Sequence, residues 1–314
     1  MKGFHHLMVV KNEDTYGNVV EPYNVETLTI PYFKEDINKS VASEDEQVIF
    51  SNSREVSMPV KGTVEVDGSL DIPIDASSIC FWLFFLTGSK ETVSGNSKFV
   101  PCSSNLPSFY AEFGKNVQGN LVKRIEGIKV NELKIDIEPT GTLKGSVSVI
   151  CRDLYLESNT SNFLLIPESE TVYRPFQNFS AKIKVDGIEV GYISQINVTY
   201  SNSLEPVRTV GDGGKVSVLS EGGFAANGSL KALVDETFVN KSINMIPVTL
   251  ETEISQVIGN ETHVLKMVLS KVELSQPKIS VDGPNSFVYC DMDFKAYHEN
   301  GLGTEFHYNI TNNS

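Results

Sequence analysis

The tetrapeptide Asp67-Gly68-Ser69-Leu70, closed by Asp75, recurs as Asn227-Gly228-Ser229-Leu230, closed by Asp235. The offset is constant at 160 residues (228 − 68, and again 235 − 75). A second echo precedes each copy. Ser51-Asn52-Ser53-Arg54-Glu55 returns as Ser201-Asn202-Ser203-Leu204-Glu205, offset by 150 residues (201 − 51). Two matches in one order predict a unit built twice, with extra residues between the motifs of the second copy. At 314 residues the chain is long enough for two such units, each with a core.

The repeated motif lies in an alternating segment, which sets the fold class. Val60, Gly62, Val64, Val66 and Gly68 share one face and Leu70, Ile72 and Ile74 extend it, while Lys61, Thr63, Glu65 and Asp67 share the other. This period predicts a long half-buried strand. Ile128 to Ile137 and Lys144 to Cys151 predict two strands joined through Glu138-Pro139-Thr140-Gly141-Thr142. Ala181 to Val185 and Glu189 to Tyr200 flank Asp186-Gly187, a two-residue hairpin signal. Val264 to Leu274, Lys278 to Val281 and Phe287 to Tyr297 complete the strands.

Helices are few. Asp75 is placed to cap one in which Ile79, Trp82, Leu83 and Leu86 fall at helical spacing and Gly88 ends it. Asp235 is placed to cap a second, with Val239, Ile243 and Ile246 before Pro247. Each half therefore reads as loop, strand with Gly-Ser-Leu, capped helix and closing hairpin. The expected division is residues 1–155, a linker over 156–176, and residues 177–314. Long polar loops are expected at Ser40 to Met58 and at Leu204 to Gly223, the latter containing Gly211, Asp212, Gly213 and Gly214.

A formal charge of −14 argues against gripping nucleic acid through its phosphates, which needs a clustered basic face. It suits a surface past which nucleic acid slides without sticking. Cys80, Cys102, Cys151 and Cys290 match neither zinc nor redox spacings and read as thiols of a cytosolic product. Met1 to His6 lacks the apolar core of a signal peptide, and Ile79 to Leu86 is too short to span a bilayer.

Motifs of catalysis are weak. His5-His6, adjacent on an extended chain, would point to opposite faces and chelate poorly. Asp67 and Asp71 could pose as a glycosidase pair, but their spacing also makes a solvated sheet face. Asp291 and Asp293 read the same way. Gly211-Asp212-Gly213-Gly214-Lys215 lacks the spacing of a phosphate loop, and Val216 stands where Ser or Thr would hold magnesium. No catalytic, metal or cofactor residue is assigned.

The order of pieces resembles the major tail tube proteins of long-tailed bacteriophages over nearly the full length. Glu13, Tyr16 and Gly17 come first, then Ser53 to Glu55, the Val60 to Ile74 strand and the Ile79 to Leu86 helix. Gly127 to Ile137 and Gly141 to Ile150 follow, then Asp186-Gly187, Ser201 to Leu204 and Phe287 to Tyr297. The resemblance implies a mainly β protein of two tandem β-sandwich or half-barrel units, each flanked by one helix. It implies a virion structural protein, not an enzyme, made and assembled in the bacterial host cytoplasm. It implies rings of three two-domain chains, or of six chains, that stack around a tape measure protein and meet tail terminator and tail tip proteins. DNA would pass the lumen without specific binding, and no membrane is involved. On that reading Lys61, Glu65, Asp67 and Asp71 are lumen candidates, and Ser53, Glu55, Gly211, Asp212, Gly213 and Gly214 are inter-ring loop candidates. The rival readings are a carbohydrate- or receptor-binding β-sandwich of a tail fibre or adhesin, and a polysaccharide-degrading enzyme.

Overall fold

The computed structural model describes residues 7–18, 27–44, 59–93, 95–102, 105–114, 122–157, 173–190, 192–234, 236–281, 283 and 287–312. The strands of the first half are β1 (Leu7–Asn12), β2 (Leu28–Thr29), β3 (Lys34–Glu35), β4 (Asn38–Glu44) and β5 (Val60–Pro73), then, after helix α1 (Ile79–Thr87), β6 (Glu91–Val93), β7 (Asn96–Phe99), β8 (Phe109–Gly114), β9 (Val122–Ile137), β10 (Lys144–Cys151) and β11 (Asp153–Glu157). The second half carries β12 (Ala181–Val185), β13 (Ile188–Glu189), β14 (Ile193–Ser201), β15 (Glu205–Val207), β16 (Val218–Ser220) and β17 (Ala225–Leu233). Helix α2 (Glu236–Ile243) leads to β18 (Val248–Ile258), β19 (Glu261–Leu274), β20 (Lys278–Val281), β21 (Val288–Ala296) and β22 (Thr304–Asn312). The described residues are mainly β with two α-helices, and their strands do not close into a barrel.

One antiparallel sheet crosses both halves in the order β4–β5–β10–β9–β14–β17–β21–β20. Two further layers flank it. The first runs β2–β1–β8–β9–β11, and the second β13–β12–β18–β19–β22–β7–β6. Strands β9 and β19 are long because each serves two layers. The C-terminal part of β9 pairs with β10 and β14, and its N-terminal part with β8 and β11. Likewise β19 pairs with β18 and β22, then reaches β21 through Val272 to Leu274.

The passage of β9 between layers depends on Gly127, whose φ is +64°. A Cβ there would lie 2.6 Å from Arg152 Cβ and 3.0 Å from the Tyr16 ring. Glu13 holds the bend: its Oε1 accepts Gly127 N at 2.7 Å, and its Oε2 accepts Gly17 N at 2.9 Å and the Ser108 hydroxyl at 2.6 Å. Burial raises the Glu13 carboxyl, and these three donors oppose the rise. Glu13, Tyr16 and Gly17 are thus one structural device around the bend.

The repeated glycines answer to close backbone approach. A Cβ on Gly68 would meet Asp36 O at 2.1 Å, and one on Gly228 would meet Asn197 O at 2.1 Å. In both places a neighbouring strand crosses where only glycine fits.

Helix α1, Ile-Cys-Phe-Trp-Leu-Phe-Phe-Leu-Thr, is apolar all round, as a helix enclosed by its surroundings must be. Ile79, Trp82, Leu83, Phe85 and Leu86 are buried, and Phe81, Trp82 and Phe85 ring Phe109 at centroid distances of 5.0, 6.1 and 4.7 Å. Gly88 ends the helix at φ +75°. Asp75 is fully buried and acts one turn before the helix: its Oδ1 accepts Ser77 N at 2.9 Å and its Oδ2 accepts Arg174 N. Ser78 occupies the N-cap position and makes no side-chain cap bond. Asp235 lies outside the described residues, as do His5, His6, Ser53 and Glu55.

Three expectations on element boundaries need correction, the first being the loop expected from Ser40, whose first residues belong to β4 (Asn38–Glu44). Glu189 to Tyr200 is not one strand. Asp186 and Gly187, at φ +51° and +78°, turn β12 into the short β13, and β14 then leaves for a different sheet. Local alternation is indifferent to which partner a strand takes. The stripe Val239, Ile243, Ile246 is also not all helical, since α2 ends at Ile243. The expected linker 156–176 falls largely on residues outside those described, and buried apolar side chains from both halves form one continuous cluster.

Candidate assembly surface

The halves meet in the shared sheet. Strand β14 pairs with β9 from Ile196 opposite Ile137 to Ser201 opposite Glu132. At the end of this seam Asn202 inserts its side chain into the first half. Its Nδ2 donates to Leu86 O, in the last turn of α1, and to Val130 O of β9, both at 2.9 Å. The Asn202 N–H donates to Asn131 O at 2.8 Å, and Asn131 Oδ1 accepts Leu204 N at 2.9 Å. The second Ser-Asn-Ser segment is therefore a plug, and its buried Asn donates to carbonyls of both α1 and β9.

A second seam joins the flanking layers. Strand β7, from the α1–β8 connection, pairs with β22 through Phe99 opposite Phe306, and Lys98 bridges to Glu305 at 2.9 Å. No local signal in the sequence marks this contact. A cavity of about 590 Å³ opens beside it, lined by Lys98, Cys102, Phe224, Tyr297, His298 and Glu305 among others. Glu305 forms an ion pair with Lys98, and His307 Nε2 lies 3.1 Å from its carboxylate.

The faces of the shared sheet differ. Leu70, Val147, Leu133, Val198, Leu230 and Met292 point into the core. The opposite face is polar across both halves. Asp71 aligns with Ser146, Ser146 with Lys134, Lys134 with Thr199, Thr199 with Asn227 and Asn227 with Lys295. Another row runs from Asp136 through Asn197 and Ser229 to Asp293. Lys61, Glu65, Asp67 and Asp71 alternate with the buried residues of β5 and so occupy this polar face. Glu65 is not free: Arg208 lies 3.3 Å away. Acidic and basic side chains are interspersed on this face, and Lys134–Asp136 at 3.1 Å is a local pair.

The Gly-rich segment forms the tip of an arm made by β15 and β16. Val210 stands fully exposed there, and a side chain at Gly211 or Gly213 would meet nothing within 4 Å. Asp212 braces the tip by accepting the Thr209 hydroxyl at 2.7 Å and the Ser217 hydroxyl. The base rests on the first half. Val64 N donates to Gly214 O at 2.9 Å, and a Cβ on Gly214 would lie 2.8 Å from Gly62 O. Lys215 reaches Asp153 at 2.5 Å, and Lys39 meets the same carboxylate at 2.5 Å. Burial favours the neutral acid at Asp153, but hydrogen bonds from Lys215 and Lys39 outweigh it and hold the pKa at about 2.

Among the described residues no group of three or more His, Cys, Asp or Glu side chains could hold a metal ion, and none of the four cysteines is joined in a disulfide. His263 is buried with Nδ1 at 2.7 Å from the Tyr308 hydroxyl, a core contact. Trp82 lies in the core, so it offers no platform for a sugar. Among the described residues no helix is long and apolar enough to cross a membrane. A search of curated proteins returns no match. A family model described as phage tail tube protein matches residues 3–296, nearly the whole chain.

Proposed function

Since this chain belongs to the phage tail tube protein family and is a structural tail tube protein, we propose that it is a tandem duplication whose three copies close one ring. The observation that carries this reading is the β9–β14 seam. It places both halves in one sheet, which disfavours a ring in which one half of each chain stands outside. The order of pairings favours duplication. Strands β1, β4, β5, β8, β9, β10 and β11 are matched by β12, β14, β17, β18, β19 with β20, β21 and β22, with α1 and α2 in the same place.

Barrel geometry favours three chains. Each contributes eight strands, β4, β5, β10, β9, β14, β17, β21 and β20. About 24 strands spaced ~4.8 Å and tilted ~40° give a backbone diameter of about 48 Å. Two chains would give roughly 32 Å, which inward side chains would narrow by roughly 10 Å. The polar face then lines the lumen, with Lys61, Asp67 and Asp71 among its residues, and its interspersed charges offer passing phosphates no clustered basic surface to grip. The exposed arm tip, Val210 to Gly213, is placed to meet the next ring. The tape measure, terminator and tail tip proteins would be the partners at the lumen and the two tube ends, and the host cytoplasm the place of assembly.

Native mass spectrometry of rings released from tubes tests the stoichiometry. A ring of three chains is expected; a ring of six overturns the reading.

A further inference from the structure

We propose that the edge at residues 35–38, whose outer side pairs with no described strand, receives β20 of a second copy in a single register, and that the Glu35–Lys123 ion pair guards this edge until it does. The inference rests on the ring reading above and adds the register and the guard.

Asp36 O stands over Gly68 as Asn197 O stands over Gly228, each 2.1 Å from the point a Cβ on that glycine would occupy. The strand pairings agree. Glu35 lies opposite Leu70 as Ile196 lies opposite Leu230, and Asn38 lies opposite Asp67 as Thr199 lies opposite Asn227. Residues 35–38 therefore correspond to 196–199. On the other side, Lys278 lies opposite Asp291 and Asp291 opposite Lys231, as Lys134 lies opposite Ser146 and Ser146 opposite Asp71. Residues 278–281 therefore correspond to 134–137.

Inside the chain, 196–199 pair with 137–134. Carried across two copies, that register sets Glu35 opposite Val281, Asp36 opposite Ser280, Ile37 opposite Ile279 and Asn38 opposite Lys278. Strand β20 is ready for it: among the described strands it pairs only with β21, and Ile279 and Val281 are 55% and 60% exposed. Asp36 would also lie diagonally across from Lys278, an opposite-charge pair.

The edge at Ile37 is not bare. Asp36 N turns inward to Ser69 O at 2.9 Å, so the N–H and C=O of Ile37 face outward. Glu35 Oε2 accepts Ile37 N at 3.2 Å, Lys123 Nζ donates to Ile37 O, and the two side chains bridge at 2.7 Å. The backbone groups that would exchange bonds with Ile279 are thus held by two charges. A charged pair on an open edge is a known means of preventing premature strand addition. The incoming Ile279 must displace it, which slows or prevents pairing until a preformed ring end supplies the second copy in place.

Two measurements on the full-length protein test this. Lys123→Met keeps the stem and removes the charge, and Glu35→Gln weakens the pair more mildly. Each should lower the concentration at which purified protein forms tubes, by about tenfold for Lys123→Met, without lowering monomer thermal stability by more than a few degrees. An unchanged threshold in both variants overturns the guard. For the register, Asp36→Cys with Ser280→Cys should cross-link assembled tubes into covalent three-chain rings, while Asp36→Cys with Val281→Cys should not. Cross-linking in the second pair overturns the register. If neither pair cross-links and released rings hold six chains, the ring reading itself has failed. If neither cross-links in rings of three, only the register has.

Discussion

Helices α1 and α2 hold the same place in the two halves yet meet opposite surroundings. Helix α1 is enclosed: its aromatic side chains pack on Phe109, and Asn202 from the other half reaches its last turn. At the end of α2, Ile243, Met245 and Ile246 are 52%, 61% and 50% exposed. The first half's helix is covered within the chain, whereas the second half's helix would have to be covered from outside it. The seams differ in the same way. The internal one is double, with β9–β14 in the shared sheet and β7–β22 in the flanking layer. Only four residues, 244–247, separate α2 from β18, so that connection is too short to supply a counterpart of β7. A joint between copies would therefore be thinner than the joint within one. A chain that carries half of its joints internally needs to form fewer of them by collision.

The contrast can be broken most severely at the helices. Trp82→Ala should cost about 3–5 kcal/mol of folding stability through the cavity it leaves, measured by denaturant unfolding. Ile246→Ser, at an exposed site, should change stability by less than about 0.5 kcal/mol and instead reduce tube yield. If both variants destabilise equally, the two helices are not in different environments. Asn202→Ala comes next, because it leaves Leu86 O and Val130 O without their donor. A loss of about 1–3 kcal/mol is expected, with faster hydrogen exchange at the β9–β14 seam than at β17–β21.

A smaller effect concerns the arm that ties the second half to the first. The Asp153 carboxyl is lowered in the folded protein from an ordinary 3.8 to about 2. A lowered carboxyl contributes stability above its unfolded value and loses it as pH falls through the folded one. Limited acid proteolysis should therefore show the arm constant above pH 4 and increasingly cut as pH falls toward 2, and Asp153→Asn should remove that dependence. The smallest effect on stability is expected at the polar face. Asp67→Lys with Asp71→Lys should leave tubes intact by negative stain and impair genome delivery; loss of tubes would place these residues in an interface instead.

How far the sequence discloses this depends on whether the information is local. Alternation in β5, the β9–β10 hairpin, the glycine after α1 and the Asp186-Gly187 turn are readable because each rests on a few adjacent residues. The Gly-Ser-Leu echo is readable, and the structure supplies its cause in the strand that crosses each glycine. Partner choice is not local. Nothing in Ile193 to Ser201 says that it joins β9 and not β12, and nothing in Asn96 to Phe99 announces β22 as its neighbour. Asn202 left a trace, the Ser-Asn-Ser echo, but its role depends on carbonyls 72 and 116 residues away. Glu13 has one local partner, Gly17 N, but its role rests on Gly127 N and the Ser108 hydroxyl, 114 and 95 residues away.

A cryo-EM reconstruction of assembled tubes decides whether both halves of each chain line one barrel. Threefold symmetry is expected, with eight strands per chain in the lumen wall, continuous across β9 and β14. A sixfold ring with four lumen strands per chain and the second half outside would contradict it.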